Sequence, residues 1–449
     1  MTVLIAGVCF LIYLNVPAVA VRVHGAPFAV AAIVPTLLAI PVAYRVLLRG
    51  EKLRCPRVIA ASLIMLAWHA LSACFSVRPL ESIESLETWL IEGVLLAALL
   101  VNAVRDREEI RAVAHAAVAA GAVMGAISVA QQIFGMTDHS FYGFGQFDDA
   151  IVDGQGRVAH RLAGPIGETN RFAQIMAVLI PIGSGIAITS TGKQRWLAWS
   201  AVFLITAGMA FSFSRGAIVA LALAIPFALA YRIVRLRQLV LIGLAGLVLL
   251  AAMPHYADRV ASIGQLVVRT IGGLDPAGMR NADGAARGRL NEMKVAGMVF
   301  LEHPLLGVGP GLAPHHYEDY AAVVGGKVRP GTRRSHNLYL QLAAETGLIG
   351  VSAFGLVIFL TMRSLDRARH RLEATDRSMW GLVCGIELAM IILLMTSFFL
   401  HAAYIRYFWF VIGLAAAASV QSGVPALAAF LSQALRDAAE RIRADEAHT

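Results

Sequence analysis

Apolar runs of membrane-spanning length recur along most of this chain, and they constrain its fold more than any other feature. A helix needs about 20 consecutive, mostly apolar residues to cross the hydrocarbon core of a bilayer. Of the 449 residues, 58% are hydrophobic and 15% are charged, whereas soluble domains are roughly 45–50% apolar. The sequence therefore predicts an all-α polytopic membrane protein with about 12 transmembrane helices. The predicted spans are 2–22, 26–47, 58–77, 86–104, 112–135, 171–190, 196–213, 216–232, 238–254, 338–362, 379–400 and 404–421.

Lysine and arginine are concentrated in alternate short loops, and this pattern predicts the orientation. Such loops face the cytoplasm in most membrane proteins. The opposite loop at 78–85 (RPLESIES) carries little positive charge, so both termini are predicted to be cytoplasmic. No cleavage-site pattern follows the first apolar run, which we expect to be a retained span. The positive loops are 45–57, 105–111, 193–195, 232–237 and 363–377.

The predicted membrane domain covers residues 1–424 and is followed by a cytoplasmic tail at 425–449. Apolar residues at helical spacing in the tail predict an amphipathic helix on the inner membrane surface. For its last few residues, a fraying polar end is an equal alternative. Two outward loops, 136–170 and 255–337, are too long for simple connections and are therefore candidates for function.

The longer outward loop is rich in arginine, which predicts an anionic partner. Within it, the run from Arg289 to Leu301 has helical spacing, and HPLLGVGPG at 303–311 then forms a turn. Arginine suits phosphate because its planar fork is permanently charged. Arg287 and Arg289 are accordingly candidate phosphate-binding residues.

His336 and Asn337 lie where this loop re-enters the membrane, directly after Arg333 and Arg334. A histidine with a pKa near about 6.5 can accept a proton at neutral pH. The following span carries Glu345, and ionisable groups inside a membrane are costly and usually functional. Two interpretations are open: a catalytic histidine, or an interfacial histidine that only forms hydrogen bonds.

Two further polar positions interrupt apolar sequence on the predicted outer side. Arg215, in SFSRGAIVAL, either binds an anion or extends its charged end to the interface as an ordinary surface arginine. In RLAGPIGETNRFA, Arg161, Asn170 and Arg171 precede a span and are candidate substrate contacts. Equally, the segment is a simple helix start, with Thr169 or Asn170 as N-cap. The four cysteines form no metal-type cluster, so no metal or other cofactor is expected.

These motifs, taken in order, resemble the O-antigen ligase superfamily, which contains O-antigen ligases, O-antigen polymerases and O-linked oligosaccharyltransferases. The resemblance covers roughly 160–360. It is carried by RLAGPIGETNRFA, SFSRGAIVAL at 212–221, ARGRLNEMKVAGMVFLEHPLLGVGPG at 286–311 and SHNLYLQLAAETGLIG at 335–350.

The resemblance implies a multi-span fold like that of lipid-linked (GT-C-like) glycosyltransferases, in the bacterial inner membrane, with a periplasmic active site. In its ligase branch, a glycan moves from undecaprenyl diphosphate to the lipid A core without a metal. The resemblance implies that His336 is the catalytic residue and that Arg215 and Arg289 bind the diphosphate, with Arg287 as an alternative to Arg289. Candidate substrate contacts around them are Arg161, Asn170, Arg171, Arg333, Arg334, Asn337 and Glu345.

Other functions remain open at this stage. A polymerase uses the same donor and shares the same broad motifs, whereas a protein oligosaccharyltransferase is usually larger. A small-anion transporter is the alternative from another class. Transporters often contain two related halves, and this sequence has no such symmetry. No nucleic-acid partner is predicted.

Overall fold

The computed structural model describes residues 1–136, 139–152, 158–232, 284–324, 331–400 and 406–423, and these residues are mostly helical. Seven helical stretches are long and apolar enough to cross a membrane, and the bent pair α1 and α2, at 46° to each other, counts as an eighth if it forms one span. The helices are α1 (Thr2–Tyr13), α2 (Val16–His24), α3 (Ala29–Thr36), α4 (Ala39–Ala43), α5 (Arg57–Cys74), α6 (Pro79–Thr88), α7 (Leu96–Ala103), α8 (Arg107–Ile133), α9 (Thr169–Thr189), α10 (Gly192–Ala210), α11 (Arg215–Ala230), α12 (Gly284–Glu302), α13 (Tyr317–Ala321), α14 (Leu338–Leu372), α15 (Arg377–Thr396) and α16 (Arg406–Gln421).

The predicted helical membrane protein is thus confirmed, and eleven of the predicted spans fall on described helices. The seven long apolar stretches coincide with the predictions at 26–47, 58–77, 86–104, 112–135, 171–190, 338–362 and 379–400. α11 is a shorter apolar helix, and α10 and α16 occupy the predictions at 196–213 and 404–421. The span at 238–254 and the tail at 425–449 lie outside the described residues. The total of twelve therefore stays a prediction.

The centre of the bundle is formed by α9 and α15, whose apolar windows are 78% and 89% buried. Their backbones approach closely where Gly185 faces Gly381, since a Cβ on Gly185 would lie 2.1 Å from the Gly381 carbonyl oxygen. Small residues allow such contact between helices in a membrane, where van der Waals packing drives association. This contact holds the ends of α9 and α15 in a fixed relationship.

The loop at 136–170, predicted to face outward, contains a two-stranded antiparallel hairpin, which the sequence did not predict. β1 (Gln146–Val152) pairs with β2 (Val158–Gly164), with Leu162 opposite Phe147. The Leu162 amide donates to the Phe211 carbonyl (3.2 Å), so the hairpin is fixed to the turn between α10 and α11. The strands are short and lie outside the predicted spans, where apolar periodicity gives little signal.

The helix predicted in the longer loop is confirmed as α12, and the turn at 303–311 packs against a break in α14. Gly347 interrupts α14 with φ 66° and ψ −170°, a combination that is essentially restricted to glycine. A Cβ there would lie 2.1 Å from the Leu305 carbonyl oxygen. The Leu348 amide donates to the Pro304 carbonyl (2.8 Å). The break therefore leaves room for the turn at 303–311 to pack against the side of α14.

Candidate functional site

His336 lies in the short segment that leads into α14, and its neighbours fix the backbone there. Its φ of 46° is in the left-handed region, which is strained for a non-glycine residue and is found mainly where a structure enforces it. The Ser335 hydroxyl donates to the Asn337 carbonyl (3.0 Å). The side chain of Asn337 caps α14 by accepting from the Leu340 amide (3.0 Å). These bonds present the His336 ring at the start of the helix.

Asn337 also ties this segment to the turn after α15. Its side-chain amide donates to the Phe398 carbonyl (3.2 Å), and the Leu338 amide donates to the Ser397 carbonyl (2.9 Å). Asn337 is only 5% exposed. Its observed contacts are therefore those of a residue that positions His336, and the predicted contact with substrate stays a prediction.

Positively charged residues from two other elements surround His336. Burial, together with the positive charges of Arg289, Arg171 and Arg334, lowers the pKa of His336 to about 4. A charge influences a pKa in this way only when it lies nearby. Two of these arginines are distant from His336 in the sequence, Arg289 by 47 residues and Arg171 by 165, whereas Arg334 precedes it by two. His336 is a neutral imidazole at neutral pH.

Glu292 is a member of this cluster that the sequence analysis missed. One oxygen of its carboxylate lies 3.9 Å from His336 Nε2, and the other lies 3.9 Å from Arg333 Nη1. Glu292 is 8% exposed. It follows Arg289 by three residues on α12, and residues at that spacing share a helix face. The spacing could have indicated Glu292 as a site residue, because it places Glu292 beside Arg289, which the motif had already identified.

The other predicted loop arginines have different surroundings. Arg333 lies over the ring of Tyr317, with 5.8 Å between its Cζ and the ring centroid, whereas Arg334 is exposed. Arg287 belongs to the helical backbone of α12, but its side chain lies outside the described residues. The charge of Arg289 acts on His336, which favours Arg289 as the main arginine of the loop.

Arg161, Asn170 and Arg171 lie where the hairpin meets the start of α9. Arg161 donates to the Ser212 carbonyl (3.2 Å) and to Asn170 Oδ1 (3.2 Å), while Arg171 pairs with Glu168 at 3.3 Å. A helix does start in this segment, as the alternative interpretation held, but the N-cap of α9 is Glu168 rather than Thr169 or Asn170. Arg161 and Asn170 thus join the hairpin to the turn before α11, and the charge of Arg171 acts on His336.

Arg215 is the first residue of α11, and its helix start is fixed on two sides. The hydroxyl of the preceding Ser214 donates to Asn170 Oδ1 (3.1 Å). The following Gly216 faces Phe399, 3.4 Å from where its Cβ would be. Because Asn337 is bonded to Phe398, the start of α11 and the segment that carries His336 contact the same turn after α15.

Glu345 is fully buried below the turn at 303–311. Its carboxylate accepts hydrogen bonds from the Gln341 side chain (2.8 Å) and from the Gly311 amide. Its backbone carbonyl accepts from the Gly309 amide (2.9 Å) and from the Ser72 hydroxyl (3.1 Å). The predicted intramembrane acid therefore holds the glycine-rich turn against α14.

Among the described residues, no group of three or more His, Cys, Asp or Glu side chains is arranged to hold a metal ion. The arrangement around His336 instead offers a neutral imidazole, a nearby carboxylate and several permanent cations. Such a site can bind an anionic group and accept a proton from a hydroxyl placed beside it.

Part of this chain matches the model of a known protein family. The family model described as O-antigen ligase matches residues 199–355, a segment that contains Arg215, Arg289, Glu292 and His336. The resemblance to the O-antigen ligase superfamily is thereby confirmed, and members of this family are glycosyltransferase-like enzymes. No curated protein matches the chain.

Proposed function

We propose that this protein is an O-antigen ligase of lipopolysaccharide biosynthesis. It transfers a glycan from undecaprenyl diphosphate to the core oligosaccharide of lipid A, at the periplasmic face of the bacterial inner membrane and without a metal. The observation that carries the proposal is the clustering of Arg289, Arg171 and Arg334 around His336. The match to the O-antigen ligase family over 199–355 supports the same reaction.

The arginines bind the diphosphate of the donor and stabilise its departure. When the bond between the anomeric carbon and the diphosphate oxygen breaks, the electron pair stays on that oxygen and negative charge builds up there. Permanent cations that are already in place stabilise this charge without reorganising. Arg289 and Arg215 are assigned to the diphosphate, and Arg171 and Arg334 add to the positive field around His336.

His336 acts as the general base. The acceptor hydroxyl attacks the anomeric carbon, forms the new glycosidic bond and loses its proton to the imidazole. With a pKa of about 4 in the free protein, the ring is available in its neutral form, yet it is a weak base. A bound diphosphate opposes the arginine charges and so raises the pKa of His336 toward the range in which proton transfer is efficient.

Glu292 positions His336 and stabilises the imidazolium that forms. Its carboxylate lies 3.9 Å from Nε2, so a proton on the ring creates an attractive pair where none exists in the neutral state. This displacement mechanism inverts the anomeric centre. NMR assignment of the donor and product linkages tests it, because retention of configuration excludes direct displacement.

Purified wild-type protein with a labelled undecaprenyl-diphosphate-linked glycan tests the choice of acceptor. Lipid A core and a second lipid-linked glycan are offered in separate reactions. The proposal expects label on lipid A core. If the glycan instead lengthens on the polyprenol, the protein is an O-antigen polymerase. If neither product forms, while proteoliposomes exchange a labelled anion in a manner that Arg215→Ala abolishes, the protein is a transporter.

A further inference from the structure

A second arginine cluster lies at the opposite end of α14 from His336, around a small open cavity. The cavity is formed by the first turn of α5, the later part of α14 and the last turn of α16. Three arginines line it: Arg57, Arg363 and Arg367. Two serine hydroxyls, from Ser364 and Ser419, lie 3.1 Å apart on its wall.

The cavity concentrates positive charge. Arg363 and Arg367 both act electrostatically on Arg57, which shows that the three charges are close enough to repel one another. No Asp or Glu is found among the described residues of the lining. The nearby Asp366 pairs with Arg369 at 2.5 Å and with His370 at 3.4 Å. An anion in the cavity would relieve the repulsion.

The rest of the lining is apolar or small. Val58 and Leu360 come from helices that are long and apolar enough to cross a membrane, and Ala416 and Val420 come from α16. An inorganic anion gains nothing from such walls, whereas a lipid places its glycerol and acyl carbons against them. The cavity thus combines a phosphate-binding arginine fork with an apolar surface.

The cavity lies near the end of α14, at the depth where lipid headgroups are expected. Arg363 follows the break at Gly347 by 16 residues, which is about 24 Å of α-helix at 1.5 Å per residue. Measured from Leu338, the start of α14 beside His336, Arg363 lies 25 residues along the helix, about 38 Å, which exceeds the roughly 30 Å of a hydrocarbon core. Arg57 belongs to the loop at 45–57, and Arg363 and Arg367 to the loop at 363–377. Both loops are predicted to be cytoplasmic, where the leaflet is rich in anionic lipid and basic pockets between helices bind phospholipid headgroups.

We propose that this cavity binds the phosphate of an anionic phospholipid in the cytoplasmic leaflet, with Arg57, Arg363 and Arg367 as its ligands. The site is distinct from the transferase site and does not depend on the proposed function. Its occupant joins α5, α14 and α16 at their cytoplasmic ends.

Native mass spectrometry of the purified full chain, with phosphatidylglycerol or phosphatidylcholine added, tests the proposal. Wild type is expected to retain phosphatidylglycerol in preference to phosphatidylcholine. The double variant Arg363→Gln/Arg367→Gln is expected to reduce phosphatidylglycerol occupancy by about tenfold or more, since each hydrogen bond to a charged group is substantial. The matched control Lys193→Gln/Arg195→Gln removes two exposed charges from another loop predicted to be cytoplasmic and is expected to bind as wild type does.

A charge-preserving variant, Arg363→Lys/Arg367→Lys, separates loss of binding from loss of folding and is expected to keep the preference for phosphatidylglycerol. Equal retention of both lipids by wild type overturns the proposal, as does an equal loss in the Lys193/Arg195 control. Displacement of phosphatidylglycerol by millimolar inorganic phosphate would show a site for the free anion and would also overturn it.

Discussion

Substitution of Gly347 by alanine tests how the glycine-rich turn and α14 fit together. Gly347 has φ 66° and ψ −170°, and backbone conformations of this class cost about 1–3 kcal/mol for other residues. The added Cβ would lie 2.1 Å from the Leu305 carbonyl oxygen and 2.8 Å from the Leu306 amide nitrogen. Overpacking of this kind costs a further 1–3 kcal/mol or so. The expected loss of stability is therefore about 2–6 kcal/mol.

The same substitution is expected to impair function, because the turn is bonded to the residues just before the break. The Val308 amide donates to the Ala344 carbonyl (2.9 Å), and the Gly309 amide donates to the Glu345 carbonyl (2.9 Å). A displaced turn moves the segment that begins at Asn337, and errors of about 1 Å in such positioning cost on the order of a hundredfold in rate.

Gly355→Ala is the matched control on the same helix. Nothing lies within 4 Å of the Cβ it would add, and alanine is favoured over glycine in a helix by up to about 1 kcal/mol. Thermal melting in detergent and the rate of glycan transfer are measured for both variants. Gly347→Ala should melt at a clearly lower temperature and transfer at least tenfold more slowly well below its melting point. Indistinguishable behaviour of the two variants would refute the reasoning.

Three further predictions concern single side chains. Arg334→Gln removes a positive charge that lowers the pKa of His336, so that pKa should rise. The acid limb of the pH profile of kcat/KM should then move to higher pH, and an unchanged acid limb would contradict this prediction. Asn337→Ala removes the side-chain cap of α14 and the hydrogen bond to the turn after α15. The free energy of unfolding should fall by about 1–2 kcal/mol, and an unaltered melting temperature would count against this. Arg45→Met leaves the carboxylate of Glu109, which is 3% exposed, without its arginine partner. The free energy of unfolding should fall by about 3–5 kcal/mol. A melting temperature equal to that of wild type would exclude this loss.

The helices could be predicted from the sequence because each apolar run carries its own signal. A span is recognisable from about 20 consecutive residues, and the described helices fall on eleven of the predicted ranges. The break at Gly347 could not be recognised in this way. Glycine is common within membrane helices, and only the contact with Leu305, 42 positions earlier in the chain, gives this one its role.

The part of the candidate site that could be predicted is the part that local sequence motifs carry. His336 and Arg289 stand in local motifs, so each could be proposed from its own segment. That Arg171 acts on His336 depends on how α9 packs beside the segment before α14, which no local pattern encodes. Glu292 was missed because a single acid in an amphipathic helix is usually exposed to solvent, and its burial beside His336 arises only in the fold.

Transfer by purified protein in the presence of EDTA tests the central claim most directly. The wild type is compared with His336→Ala and Arg289→Ala. His315→Ala serves as the control, because this histidine precedes the same helix α14 and its Nε2 lies 3.5 Å from the Glu81 carboxylate. The account predicts that wild type and the control transfer the glycan despite the chelator, while His336→Ala is slower by about 10²–10⁴-fold and Arg289→Ala is also defective. Transfer by His336→Ala at the rate of the control, or abolition of wild-type transfer by EDTA, would contradict it.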